Sequence, residues 1–144
     1  MPYLNWELIR SKKLDLGEVE SVAAEAARTS AHIARVYTRQ QLLSGTVQRD
    51  PIGDSMSLSF FAPRSGDLLI IPDPYYLFDA TGTTHGTPYD YDTHVPLIFY
   101  GPGIKAGTYS TRVAVNDVAP TLSEILHVER PSGSIGRVLT EILQ

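Results

Sequence analysis

The spacing of apolar residues in the first third of the chain predicts one helix and then a strand. In residues 15–30, DLGEVESVAAEAARTS, the apolar positions recur at helical spacing and are small: Val19, Val22, Ala23, Ala26 and Ala27. Such a narrow stripe predicts a helix that lies close against a sheet. In residues 32–42, HIARVYTRQQL, side-chain type alternates from residue to residue, which predicts a strand. With residues 3–9 as an earlier strand, this third of the chain is expected to form a β-α-β unit.

Two continuous apolar runs further along predict strands that are buried on both faces. They are LLII, within residues 66–78, and VPLIFY, residues 95–100. Before them, residues 51–61 are expected to form a short helix that begins near Pro51, although Gly53 is a poor helix former.

The last third of the chain predicts one more strand and one more helix. Residues 111–115 are expected to form a short strand, and residues 117–127, DVAPTLSEILH, a helix. Asn116 or Asp117 is expected to cap that helix, with Pro120 in its first turn.

Strands that alternate with helices predict an α/β fold, more closely a layered α+β domain. We expect a mixed sheet with helices packed on it, in a single domain over residues 1–144. The length and the apolar fraction of 42% suit one globular domain with a sizeable core.

Composition excludes several classes of function. The chain contains no cysteine, which removes disulfides, thiolate zinc sites, iron–sulfur clusters and cysteine nucleophiles. Its net charge of −4 gives neither a basic footprint for nucleic acid nor a polybasic cluster for an anionic membrane surface. We therefore expect no nucleic acid and no membrane among its partners. The opening MPYLNWELIRSKK lacks an apolar core, so no signal peptide is expected in this chain.

The stretch from residue 82 to 101, GTTHGTPYDYDTHVPLIFYG, carries four side chains of metal-binding type: His85, Asp90, Asp92 and His94. Imidazole nitrogen and carboxylate oxygen are the ligands of a catalytic zinc where thiolates are absent. The two histidines are nine residues apart, which is neither the spacing of a metal-binding helix nor that of a tight hairpin. Spacing alone therefore favours a polar loop whose aspartates cap turns.

Several stretches of the sequence nevertheless resemble the alkaline phosphatase superfamily. They are THGTPYDYDTHVPLIFYGPGIKAG, the later VAVNDVAPTLSEILHVERPSGSIGRVL and, upstream, HIARVYTRQQL and LLIIPDPYYLF. The branch they resemble holds alkaline phosphatases related to type I phosphodiesterases and nucleotide pyrophosphatases. The resemblance covers nearly all of the chain. It implies the C-terminal portion of a catalytic domain with a partial alkaline-phosphatase-like fold.

The resemblance also implies a metal role for one residue, His85. Members of the family are implied to hold two zinc ions with three aspartates and three histidines. They are implied to use a threonine or serine nucleophile that forms a covalent phospho-enzyme. The histidine of the T-H-G element is the last of those ligands, which places the role on His85, with Thr84 and Gly86 positioning it. Asp92 and His94 belong to the same family block, and we interpret them as structural support.

The family's other ligands and its nucleophile have no counterpart in this sequence, which contains no Asp-His dipeptide. One imidazole cannot hold a two-metal centre, in which the ions lie about 3.5–4 Å apart. We therefore expect a C-terminal fragment of a zinc-dependent phosphate-ester hydrolase, a phosphomonoesterase or a phosphodiesterase, that is inactive alone. The intact parent is expected to act on a phosphate ester and to be periplasmic or secreted.

Other residues of chemical interest are interpreted as structural. They are Asp67 and Asp73 at the ends of the LLII strand, the isolated histidines His32 and His127, and the pair Arg35 and Arg39, which could also meet a phosphate.

Two alternatives to the hydrolase fragment stay open at this point. One is a non-enzymatic α/β module that binds a partner or self-associates, as a homo-oligomer, through the apolar surface that the rest of a phosphatase would cover. The other is an independent enzyme with one metal ion, held by His85, His94 and one of Asp90 or Asp92.

Overall fold

Two compact units, Met1–His94 and Val95–Gln144, make up the computed structural model, which describes all of residues 1–144. The first unit contains five helices and a pair of strands. In chain order these are α1 (Trp6–Ser11), α2 (Leu16–Arg28), β1 (Ile33–Thr38), α3 (Arg39–Ser44), α4 (Pro51–Ser59), β2 (Leu68–Pro72) and α5 (Asp90–Thr93). The assignment of one domain to residues 1–144 stays a prediction.

The core of the first unit lies on both faces of its sheet. The strands β1 and β2 pair antiparallel, with Val36 opposite Ile70. Successive strand residues point to opposite faces, so each strand contributes side chains to two hydrophobic clusters. One cluster is formed by Tyr37, Leu42, Val47, Met56, Leu69 and Ile71, and the other by Ala24, Val36 and Leu68. The α+β class is thus confirmed, and so is the buried LLII strand. The sheet within this chain is an antiparallel pair rather than the mixed sheet expected.

The prediction of a strand over residues 3–9 is wrong, because this segment forms the helix α1. The side chain of Asn5 accepts a hydrogen bond from the Leu8 N–H at 2.9 Å and caps the helix. A cap of this kind satisfies one of the N–H groups that every helix start leaves free. The expected β-α-β unit is therefore helix, helix, strand.

The helices on either side of β1 agree better with the predictions from the sequence. The predicted small-residue helix is confirmed as α2, and α4 begins at Pro51 as predicted. The strand predicted over residues 32–42 is too long, because Thr38 and Gln41 form a capping box that starts α3. No helix of the chain has the length and apolar composition needed to cross a membrane.

The second unit contains one α-helix, α6 (Val118–Leu126), and two short 3₁₀ turns, Val115–Asp117 and Thr140–Ile142. Asp117 precedes the helix as predicted, but its carboxylate accepts the N–H groups of Ala114 at 2.9 Å and Arg137 at 2.8 Å. These bonds lower the pKa of Asp117. The buried Asp117 therefore fastens the tail of the chain to the start of α6.

The strands predicted over residues 95–100 and 111–115 are absent, so both predictions are wrong for this chain. Residues 95–100 make no backbone hydrogen bond, and the side chains of Ile98 and Tyr100 are 83% and 102% exposed. A strand requires a neighbour that pairs its N–H and C=O groups. The bridge in this unit joins Ile104 to Leu143 instead, which leaves the VPLIFY run without a partner.

Candidate functional site

The loop that follows β2 turns on two glycines on either side of His85. Gly82 and Gly86 have φ angles of +104° and +97°, which glycine adopts without the strain that other residues would bear. A Cβ at either position would meet nothing within 4 Å, so these glycines set the path of the backbone. His85 is exposed, and no hydrogen bond or ion pair engages its ring. Its imidazole is thus available to an outside ligand.

Asp92 holds the same loop from α5. Its Oδ2 atom accepts two hydrogen bonds from Thr87, from the backbone N–H at 2.6 Å and from the hydroxyl at 2.9 Å. These bonds favour the charged form, and they lower the pKa of Asp92, with a smaller contribution from the nearby His85. Because Thr87 lies two residues from His85, the carboxylate fixes the turn on which the histidine stands.

Tyrosines tie α5 to the end of β2. The hydroxyl of Tyr89 donates to the Pro72 carbonyl at 2.7 Å, and its ring packs against the larger core cluster. Burial raises the pKa of this phenol. The hydroxyl of Tyr91 accepts the N–H of Tyr75 at 3.0 Å, and the two rings stack with centroids 4.3 Å apart. No local pattern in the sequence predicts this pairing, since the two tyrosines are sixteen residues apart.

The four candidate ligands of the loop are not brought together. No group of three or more His, Asp or Glu side chains in residues 1–144 is placed to hold a metal ion. Asp92 is engaged by Thr87, and Asp90 and His94 are joined only through their backbones, at 2.8 Å. The arrangement gives no support to an enzyme with one metal ion held by His85, His94 and an aspartate.

The two arginines that could meet a phosphate are engaged inside the first unit. Arg35 forms an ion pair with Asp50 at 2.6 Å and donates to the Tyr37 hydroxyl. Arg39 donates to the Ala62 carbonyl at 2.8 Å and lies over the ring of Trp6. Both guanidinium groups therefore hold parts of the first unit together.

The strand-end residues likewise make structural contacts. His32 stacks on Tyr76 with centroids 3.9 Å apart, and its Nδ1 lies 3.5 Å from Asp73. Asp67 is buried and accepts hydrogen bonds from the Leu4 N–H at 2.7 Å and from the Trp6 indole at 3.1 Å. This role of Asp67 in holding the N-terminal segment has no local signal in the sequence.

Comparisons with known proteins show similarity to several alkaline phosphatases. No protein-family profile matches the sequence. The chain is 30% identical over 143 residues to the alkaline phosphatase PafA of Elizabethkingia meningoseptica, covering 98% of this chain and 26% of that protein. It is 44% identical over 84 residues to the alkaline phosphatase PhoV of Synechococcus elongatus, covering 58% of this chain and 15% of that protein.

The fold agrees with the sequence comparison. A crystal structure of wild-type alkaline phosphatase PafA superposes on this chain with a TM-score of 0.88 at 30% identity. The match covers 99% of this chain and 28% of the crystallised one. The chain thus spans about a quarter of the length of PafA.

Proposed function

This chain is a homologue of the alkaline phosphatases, and on that premise we propose that it is one part of a zinc-dependent phosphate-ester hydrolase. His85 would be the one metal ligand that this chain supplies. The whole protein would act on a phosphate monoester or diester, in the periplasm or outside the cell. The remaining ligands and the nucleophile would lie outside these residues.

The observation that carries the proposal is the state of the His85 side chain. Its imidazole is exposed and unengaged, and it stands on a turn that Gly82, Gly86 and the Asp92–Thr87 contact hold in place. An imidazole whose ring nitrogens are free of other partners is a preferred zinc ligand, and the held turn fixes the point of the backbone from which this ring extends. Asp92 accepts from Thr87 and has no such freedom, which supports its role as a positioning group.

The residues of this chain do not by themselves fit a two-zinc centre. A catalytic zinc takes about three protein ligands, so two ions need about six, and the chain brings no group of three together. No catalytic step can therefore be assigned to these residues alone. What this chain contributes is one nitrogen donor, on a held turn, at one side of such a centre.

A graft into a relative tests the role of His85. The segment of the alkaline phosphatase PafA that matches this chain would be replaced by residues 1–144, and hydrolysis of p-nitrophenyl phosphate measured with zinc. We expect a folded, active graft in which His85→Ala lowers kcat/KM at least about 100-fold and reduces bound zinc, because a metal ligand is lost. The matched control is His94→Ala, on the same loop, which should keep both activity and zinc. Full activity of the His85→Ala graft would contradict the proposal.

The isolated chain provides a second test. With added zinc, residues 1–144 alone are expected to give no turnover of p-nitrophenyl phosphate, and calorimetric titration with zinc should show no binding in the micromolar range. Turnover by the isolated chain that His85→Ala removes would instead support a self-sufficient metal enzyme.

A second candidate function is self-association, which the exposed VPLIFY run favours. Apolar segments with unpaired backbone groups pair readily with another chain, and Ile98 and Tyr100 are almost fully exposed. We propose that two or more copies of the isolated chain associate through residues 95–100. Light scattering should give a mass above 15.8 kDa that falls to the monomer value in the double variant Ile98→Ser, Tyr100→Ser. A monomer at all concentrations would reject this candidate.

A further inference from the structure

Tyr75 is held outside the core in a strained conformation. Its φ angle is +62°, in the left-handed region that non-glycine residues rarely occupy and that clusters at ligand sites. The side chain is 82% exposed and belongs to neither core cluster. Core packing therefore does not account for the strain. The contacts that hold it are the hydrogen bond of its N–H to the Tyr91 hydroxyl and the stack of the two rings.

The Tyr75 ring is the outer end of a stack of three tyrosines. Tyr89 is half-buried against the core, Tyr91 stacks on it with centroids 5.7 Å apart, and Tyr75 stacks on Tyr91 with centroids 4.3 Å apart. The planes are nearly parallel, at 22° and 24°. Tyr76, the next residue, turns away and stacks on His32. One face of Tyr75 is thus covered by Tyr91, while the high exposure of the side chain leaves the other face open.

The short helix α5 joins this stack to the loop of His85. Tyr91 fixes Tyr75, and the adjacent Asp92 fixes Thr87, two residues beyond His85. The aromatic stack and the candidate metal ligand are consequently attached to neighbouring residues of one helical turn.

We propose that the open face of Tyr75 binds the planar aromatic leaving group, an aryl ring or a nucleobase, of the phosphate ester. The statement rests on the proposed function for the phosphate end only. Stacking on an aromatic side chain is tolerant of the identity of the ring, since every base has a π face. The stack would therefore favour aryl and nucleoside phosphates over alkyl phosphates without selecting one base.

Nuclear magnetic resonance titrations of residues 1–144 test this subsite with three probes: adenosine, AMP and glycerol 2-phosphate. We expect saturable shifts of the Tyr75 and Tyr91 ring signals with adenosine and AMP, and none with glycerol 2-phosphate. Tyr75→Leu should weaken adenosine binding about tenfold or more, whereas Tyr75→Phe, which keeps the ring, should bind within about twofold of the original. Tyr3→Leu, at another exposed tyrosine of the first unit, is the matched control and should leave adenosine binding unchanged.

The outcomes separate the subsite from the proposed function. Adenosine carries no phosphate, so its effect on the rings does not depend on a metal or on His85. Absence of ring shifts with adenosine, or unchanged adenosine binding in Tyr75→Leu, overturns the subsite. Adenosine binding at Tyr75 together with a folded but inactive graft would retain the subsite and reject the hydrolase.

Discussion

At the scale of single residues, two carboxylates hold loops by accepting backbone N–H groups. Asp92 does so at the His85 turn and Asp117 at the tail of the chain. In both cases the ionised carboxylate accepts these hydrogen bonds more strongly than the neutral carboxyl would, which is why the pKa of each carboxyl is lowered. Neither role appears in the sequence as more than an aspartate near a turn.

The Asp92 contact predicts a local loss of protection on substitution. In Asp92→Ala the Thr87 N–H loses its acceptor, so its amide exchange, measured by hydrogen–deuterium exchange, should become about tenfold faster. Asp90→Ala is the control, because the Asp90 carboxylate lies on the same helix and does not contact Thr87. It should leave the exchange rate of the Thr87 amide unchanged. Equal effects of the two substitutions would show that the carboxylate does not hold the turn.

The lowered carboxyl pKa values predict the acid sensitivity of the second unit. Arg137 pairs with Glu141 at 2.7 Å and lowers the pKa of that carboxyl from 4.5 to about 2. A depressed pKa contributes stability above the value of the unfolded chain, and the contribution is lost as pH falls through the folded value. Urea unfolding should therefore show stability decreasing from about pH 4.5 toward the folded value of about 2. The variant Glu141→Gln should be less stable at pH 7 and should lose less stability over this range, and a pH dependence parallel to that of the unchanged chain would argue against the assignment.

At the scale of elements, Gly53 shows how packing overrides propensity. Gly53 lies inside α4, where a glycine costs about 1 kcal/mol relative to alanine. A Cβ at this position would collide with the carbonyl of Gln48 and touch Val47. Gly53→Ala should thus destabilise the chain by about 1–3 kcal/mol in urea unfolding, although helix propensity alone predicts a gain. Gly133→Ala, where nothing lies within 4 Å, is the control and should be nearly neutral.

Helices and strands were predicted correctly where their sequence patterns are local and their packing partners are within this chain. The helix α2, the helix α4 and the LLII strand were predicted because their patterns are local and their packing partners are present. The prediction of a strand over residues 3–9 is wrong, although Asn5, which caps α1, is a helix-start signal visible in the sequence. The VPLIFY run has the composition of a buried strand, yet composition does not say which strand would pair with it.

At the candidate site, too, some features were predictable from the sequence and others were not. The placement of His85 came from the resemblance of the T-H-G element, because its spacing from His94 did not indicate a ligand. The ties from Asp92 to Thr87 and from Tyr91 to Tyr75 span five and sixteen residues. Such contacts depend on how the loop folds over the end of β2, which no period in the sequence encodes.

At the scale of the whole molecule, the exposure of the VPLIFY run agrees with the match of this chain to one part of a larger protein. The chain superposes over 99% of its length on about a quarter of an alkaline phosphatase, so its folded parts reproduce a piece of a larger structure. Residues that keep their packing partners within the piece are buried, as in the two core clusters. Residues 95–100 are apolar and, apart from the half-buried Phe99, exposed, which is what a segment whose neighbour lies elsewhere would show.

Amide exchange of residues 97–100 can decide what covers this segment. In the isolated chain at low concentration these amides should exchange at nearly the rate of an unstructured peptide, because none is hydrogen-bonded, while those of β2 stay protected. In the graft they should become protected, since a neighbouring strand would then pair with them. Protection that appears in the isolated chain only as its concentration rises would assign the partner to a second copy. Protection at every concentration would mean that the segment pairs within the chain, which would contradict the exposed VPLIFY run.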